Sequence, residues 1–415
     1  MIPMQPRFSK DPCAERLREL VATEVASRRL LDRAYRRLHA KAVAVLLWAL
    51  VSYWMLVIVT PRWWPVCLLS FALAAAAVTF NLMHDGNHQA FSRNARTNRL
   101  AGLTLDLLGV SSLFWVEDHN RKHHSAPNVD PFDGDIDYGF LARVAPSKPW
   151  RPWYRFQHYY IWFLYAFLIE RWQFYLDVRK VLGGQAANGS APIRERSQYW
   201  VLFAGKLVFL GWAFVLPSFF HPLWAVALAY LAFAGLGGLI LATVLQWAHC
   251  VEGAMFLSVQ RFQERLPETW LRIQVEATRN VRLARWLSWY VGGLDHQIEH
   301  HLFSRYPHTI YPDLAPTIEE FCRANRINYV RHQSLWAAMS SHYRWLRQMG
   351  QRPAPPGSEY DPADVPSVVA AQRVHPGCNN LRSASVSDWA NRPSMAGRSI
   401  DRQRMSPDPG HWSCD

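Results

Sequence analysis

The hydrophobic positions of this 415-residue chain gather into four long runs, at about 43–60, 65–83, 200–220 and 222–248. Each has roughly the 17–25 residues that an α-helix needs to cross the hydrocarbon of a bilayer. They predict four transmembrane helices in two hairpins, with only a few residues between the members of each pair. Two further apolar stretches are too short to span. Residues 101–116 contain Asp106 and run straight into Glu117, and 156–169 (FQHYYIWFLYAFLI) lies between Arg155 and Arg171. Both fit helices lying in the membrane interface, where aromatic and basic residues are favoured.

Composition agrees with the pattern once it is taken along the chain. Twenty Trp, 21 Phe and 50% hydrophobic residues stand beside a net charge of +13, a mixture foreign to a soluble fold. The mean hydropathy of −0.11 reflects polar ends and a polar middle diluting the spans. The first 40 residues are basic and lack a short apolar core with a cleavage site, so no signal peptide is expected there. The expected organisation is a basic helical segment at 1–42, a membrane domain at 43–350 and a disordered tail at 351–415, rich in Pro, Ser, Arg and Gly. Residues 183–198 read as a flexible connector. No repeat of 20–50 residues is present.

Lys and Arg placement orients the bundle. Arg28, Arg29, Arg33, Arg36, Arg37 and Lys41 precede the first span, and Arg93, Arg96, Arg99, Arg121, Lys122, Arg151 and Arg155 lie between the second and third. The short connections carry only Arg62 in one and His221 and Pro222 in the other. The positive-inside rule then puts both termini and the polar middle on the cytoplasmic side. Lys206, inside the third run, is expected to snorkel toward the cytoplasmic interface.

Against that topology the histidines are informative. HDGNH holds His84 and His88, HNRKHH holds His119, His123 and His124, and QIEHH holds His300 and His301, while His249 ends the fourth run. All are expected on one membrane face. Residues four apart share a helix face, so His84 with His88, and His119 with His123, can each grip an ion from one rigid element. His124 adds a second direction of ligation, about 100° round a helix from His123. Gln297 is a candidate weak ligand or orienting group through its amide. Eight imidazoles are too many for one ion, and two ions sharing nitrogen donors with positions left for oxygen point to a di-iron centre. Carboxylates crowd the clusters, and Asp85, Asp135 and Glu299 are candidates to accept the second ring N–H of a ligating His. Trp115 and Trp247 are candidate walls of an apolar channel. The cysteines at 13, 67, 250, 322, 378 and 414 show no CxxC spacing, which argues against a zinc ribbon, an iron–sulfur cluster or a disulfide framework. His158 and His221 read as interfacial or structural, His39 and His332 as surface residues, and the tail motif HPGC (His375 to Cys378) has no domain around it.

HDGNHQAFS, Trp115 followed by HNRKHHSAPN and DGDID, WAHCVE, and GGLDHQIEHHLFSRYPH resemble, in order and spacing, the histidine boxes of the membrane fatty acid desaturases. The resemblance covers about residues 43–330, and the QxxHH form of the last box is similar to the front-end and related bacterial members. It implies an all-α integral membrane protein: four transmembrane helices and a cytoplasmic helical cap around a non-haem di-iron site. The implied ligands are His84, His88, His119, His123, His124, His249, His300 and His301. Gln297 stands where many relatives place another His, and His296 where the subgroup has an aromatic residue, which makes His296 either a substitute ligand or a filler of that slot. The implied reaction is O2-dependent insertion of a double bond into a fatty acyl chain held on coenzyme A, an acyl carrier protein or a glycerolipid. No fused haem domain is present, so an external ferredoxin-like or rubredoxin-like donor is expected beside membrane lipid, and no nucleic acid. Hydroxylation or acetylenation on the same scaffold is the alternative outcome, and a metal or haem carrier a distant one.

Overall fold

The computed structural model describes residues 11–58, 61–182, 195–265 and 270–353. Most of the connector expected at 183–198, and the tail from 354 onward with its HPGC motif, lie outside the described residues. Helix α1 is Pro12–Ser27. Four helices are long and apolar enough to cross a membrane: α2 (Leu30–Ile58), α3 (Trp64–Asn87), α7 (Arg196–Ser218) and α8 (Leu223–His249). Between them stand α4 (Ala95–Leu107), α5 (Ser112–His123) and α6 (Gln157–Ala166). After α8 come α9 (Trp270–Glu276), α10 (Arg285–Tyr290), α11 (Gln297–Phe303), α12 (Tyr311–Ala324) and α13 (Leu335–Gly350). Two parallel strand pairs of two residues each, 129–130 with 257–258 and 280–281 with 331–332, tie the intervening loops together.

The spans divide their surfaces between lipid and core. Val43, Leu47 and Val51 on α2 and Trp200, Phe203 and Leu207 on α7 are exposed, as a lipid-facing helix requires. The inner faces are small: α3 buries Ala72, Ala74, Ala75, Ala76 and Ala77. Gly237 and Gly238 let α8 press against 165–169, and a Cβ on Gly238 would meet the Tyr165 carbonyl oxygen at 2.7 Å. Small residues at a helix interface let backbones approach where no hydrophobic effect drives them together.

Length explains where the site sits. At 1.5 Å per residue α8 is roughly 40 Å long and α3 roughly 36 Å, against a hydrocarbon thickness of about 30 Å. His84 lies in the last turn of α3, His88 just past its end, and His249 at the last residue of α8. Helix α2 likewise starts at Leu30, earlier than its apolar run at 43. Its first turns join α1, α9, α11 and α12 in a separate core that includes Leu17, Val21, Leu30, Ile298, Leu314 and Ile318. Helix α13 closes over α6: Gln157 Nε2 donates to the Leu346 carbonyl at 2.8 Å and Trp345 Nε1 to the Val144 carbonyl at 2.9 Å.

Two expectations change. The stretch 101–116 is not one interfacial helix but the junction of α4 and α5, which meet at 108°. The bend turns on Gly109, whose φ is +77° and whose Cβ would lie 2.7 Å from Phe209, so both conformation and space demand glycine. Lys206 does not snorkel. It turns inward onto Asp177 at 2.8 Å, because a compact ammonium beside a buried carboxylate and bare carbonyls is better satisfied there than at the interface.

Candidate metal centre

All eight predicted histidines meet in one nest. Ring nitrogens of His84, His88, His119 and His300 lie within 4.8 Å of one another, as do those of His123, His249 and His301. His124 joins the two groups, with ring centroids 4.6 Å from His88, 4.6 Å from His300 and 4.3 Å from His301. Seven of the eight are buried and His124 is partly exposed.

The second cluster owes its shape to a π-helical turn. Residues Val116–His123 follow i→i+5 hydrogen bonding, and the His124 N–H donates to the His119 carbonyl at 2.9 Å. The wider turn brings both i+4 and i+5 round to the face of residue i. His123 and His124 therefore flank His119, at 5.1 and 4.8 Å between centroids, where an α-helix separates them by about 100°. A similar turn at Thr79–Met83 immediately precedes His84.

Carboxylates and amides orient the rings. His119 Nδ1 lies 3.0 Å from Asp135 and His123 Nδ1 2.9 Å from Asp133. His301 Nδ1 faces the Gln274 carbonyl oxygen at 3.1 Å. Asp133 is held in turn by the backbone N–H groups of Asn128 and Asp135, both at 2.9 Å. An N–H committed at Nδ1 leaves Nε2 as the lone-pair nitrogen available to a metal. Of the three carboxylates expected in this role Asp135 fills it closely, and Asp85 Oδ1 lies 3.7 Å from His84 Nδ1. Glu299 accepts instead from Asn280 and Tyr329, and Asp85 from His308. Asp133, Gln274 and His308 were not singled out from sequence, although the alternating acids of DGD after the second box were a usable signal for Asp133.

The donor set fits a metal on an internal census. Buried ring nitrogens of His84 (both), His88, His124, His249, His300 and His301 have no hydrogen-bond partner in the protein. His119 Nε2 and His124 Nε2 face each other at 3.3 Å. Unpartnered buried polar atoms are rare and costly, and this many converging lone pairs are what a bound cation relieves. Burial, reinforced by neighbouring imidazoles, holds His124, His300 and His301 well below the ordinary imidazole range. They are neutral near pH 7, the ligating form.

Gln297 belongs to the nest, with Nε2 3.1 Å from His249 Nε2 and its amide oxygen unpartnered. His296 does not: it is absent from both ligand groups, and its Nδ1 lies 3.3 Å from Asp295. His221 donates to the Val57 carbonyl at 2.7 Å and His39 contacts the Phe91 carbonyl at 2.9 Å, both apart from the nest.

Beside the nest opens a cleft reached by His119, Trp115 and Asp135 and walled in part by Phe114, Leu168, Trp172, Leu176, Ala242 and Leu245. Trp115 stacks on His119 at 4.2 Å. Trp247, expected on the channel, is buried in the bundle core instead. The cleft mixes these apolar walls with Asp118, Arg171, Asp177 and Lys180, and it ends on a cluster of buried imidazoles able to hold metal.

Comparison with known proteins identifies the class. The fatty acid desaturase model matches residues 61–333. The sn-1 linoleoyl-lipid 6-desaturase of Synechocystis sp. is 33% identical over 81% of this chain and 94% of its own length. That of Arthrospira platensis is 34% identical over 76% of this chain and 86% of its own. The acyl-lipid (8-3)-desaturase of Physcomitrium patens is 32% identical over 66% of this chain and 58% of its own. The chain belongs to the fatty acid desaturase family: it is a membrane-embedded, metal-dependent desaturase with a lipid substrate.

Proposed function

We propose that the two histidine groups hold two iron ions, with His84, His88, His119 and His300 on one and His123, His249 and His301 on the other. His124 serves between them, and Gln297 orients His249. Bound iron would supply the reduction of O2 and the removal of two hydrogens from adjacent methylenes, with two electrons and two protons completing two waters. The observation that carries this reading is the census of unpartnered ring nitrogens converging from three chain segments and the end of α8.

The protein's own part is positional. An alkyl chain offers no polar handle near the reacting carbons, so the cleft walls must align one stretch of it beside His119 and exclude water. Asp133, Asp135 and Gln274 keep the ring tautomers fixed through each cycle. The names of the relatives favour an acyl group esterified to a glycerolipid, and a double bond over a hydroxyl or a triple bond. The basic segments favour a two-hairpin bundle with its termini and cap toward the cytoplasm, within a working domain of about 43–350. A net charge of +13 suits an acidic ferredoxin-like or rubredoxin-like donor. Expression in a host of defined lipids, followed by fatty acid profiling by lipid class beside a His123→Ala control, tests the reading. A new unsaturated acyl group confined to the wild type supports it, and no new product across the lipid classes overturns it.

A further inference from the structure

The bend between α4 and α5 leaves the carbonyls of Leu108 and Gly109 and the N–H of Ser111 to be met by side chains, while the N–H groups of 108–110 still donate to carbonyls of α4. Lys206 on α7 meets this backbone. Its Nζ donates to the Gly109 carbonyl at 2.6 Å, the Gln173 carbonyl at 2.8 Å and Asp177 Oδ2 at 2.8 Å, which uses all three ammonium hydrogens. Asp177 in turn accepts the Ser111 N–H at 3.0 Å, and Gln173 Nε2 donates to the Leu108 carbonyl at 2.6 Å. Tyr230 on α8 donates to the Gln173 side chain. Backbone groups that a bend frees from helical pairing need other partners, and here Lys206, Asp177 and Gln173 supply them.

The same pair touches the substrate path. Asp177 and Ser111 line the cleft that His119 and Trp115 line. Eight residues of helix separate Ser111 from His119, roughly 12 Å along the axis. The clasp thus holds both a wall of the cleft and the origin of the helix that carries His119 and His123 and leads into His124.

We propose that the Lys206–Asp177 pair determines the position of the new double bond, by holding the cleft wall at a set distance from the histidines so that one pair of methylenes is presented. This rests on the reading that the cleft takes the acyl chain. If it loosens, the chain shifts along the cleft and neighbouring carbons are oxidised, while the ligands stay in place.

The test is positional analysis of the double bond, with bound metal measured in parallel, for the wild type, Lys206→Met, Lys206→Arg and the double variant Lys206→Met/Asp177→Asn. The double variant removes both charges together and so leaves no unpaired buried ion. Lys206→Met and the double variant are expected to keep the wild-type metal content while the ratio of major to minor positional isomer falls by about tenfold or more. Lys206→Arg keeps a cation on Asp177 and is expected to stay close to the wild-type ratio. An unchanged ratio in both charge-removing variants overturns the proposal. Loss of metal, or of the protein from the membrane, in both of them also overturns it, since the pair then only maintains the fold. Failure of the underlying desaturase reading is distinguishable, because the wild type itself then yields no new double bond.

Discussion

His84 and Asp85 are neighbours in sequence and equally buried, yet they belong to clusters of opposite character. His84 enters the histidine nest, where its two ring nitrogens lack a hydrogen-bond partner and the Asp85 carboxylate stands 3.7 Å from Nδ1. Asp85 enters a closed triad: it accepts from His308 Nδ1 at 2.9 Å and from the His308 N–H at 3.1 Å, while His308 Nε2 accepts from Lys41 at 2.9 Å. The triad joins α2, α3 and the segment leading into α12. Burial does not tell the two apart. The partner count does, since a polar group left bare in the interior awaits a ligand, whereas one fully bonded there serves the scaffold.

The sharpest way to break this contrast is to remove rings from the nest. His84→Ala and His301→Ala each strike a different ligand group, and each is expected to lower bound metal by one equivalent and abolish product. Metal analysis of the purified protein, beside fatty acid profiling, reads both. Full metal in His301→Ala would mean that the bare nitrogens are not a site. Next in size is Asp133→Asn, which replaces the charged acceptor behind His123 while keeping its shape. Loss of such an orienting partner costs roughly 10–100-fold in metal affinity or activity, measurable by competition with a graded chelator. A full-strength Asp133→Asn would mean that Asp135, 3.7 Å from His123 Nδ1, suffices to hold the ring.

Metal removal sharpens the comparison further. A ligand present at about 1,000 times its dissociation constant stabilises the native state by about 4 kcal/mol. Chelation is therefore expected to lower the thermal midpoint of the wild type by several degrees, and to do so much less in His301→Ala, where half the stabilisation is already gone. Equal shifts in the two proteins would refute the link between the nest and stability.

The same contrast explains what the sequence made legible. The eight histidines announce themselves because imidazoles in tight clusters at the ends of apolar runs have few other uses, and the runs themselves follow bilayer thickness. The π turn at 116–123 was hidden, because nothing in VEDHNRKH separates i→i+4 from i→i+5 bonding until neighbouring helices compete for its rings. Partner choice was hidden too: Gln274 reaches His301 across 27 residues and Lys41 reaches His308 across 267, pairings that only the packed cap creates. Lys206 misled for a related reason. Snorkelling is the default for a lone lysine in a span, and its partner Asp177 lies in another segment of the chain.

The smallest expected effect on metal comes from the triad, and it carries the comparison to its limit. Lys41 is 6% exposed and lies 2.9 Å from His308, not from any ring of the nest. Lys41→Met leaves His308 Nε2 in the interior without its donor, at a cost of about 1–3 kcal/mol in stability. Thermal unfolding in detergent should show that loss to the same extent with and without chelator, while the folded fraction retains its metal. A Lys41→Met protein that folds normally but loses metal would place the triad inside the site, and the boundary drawn between His84 and Asp85 would fall.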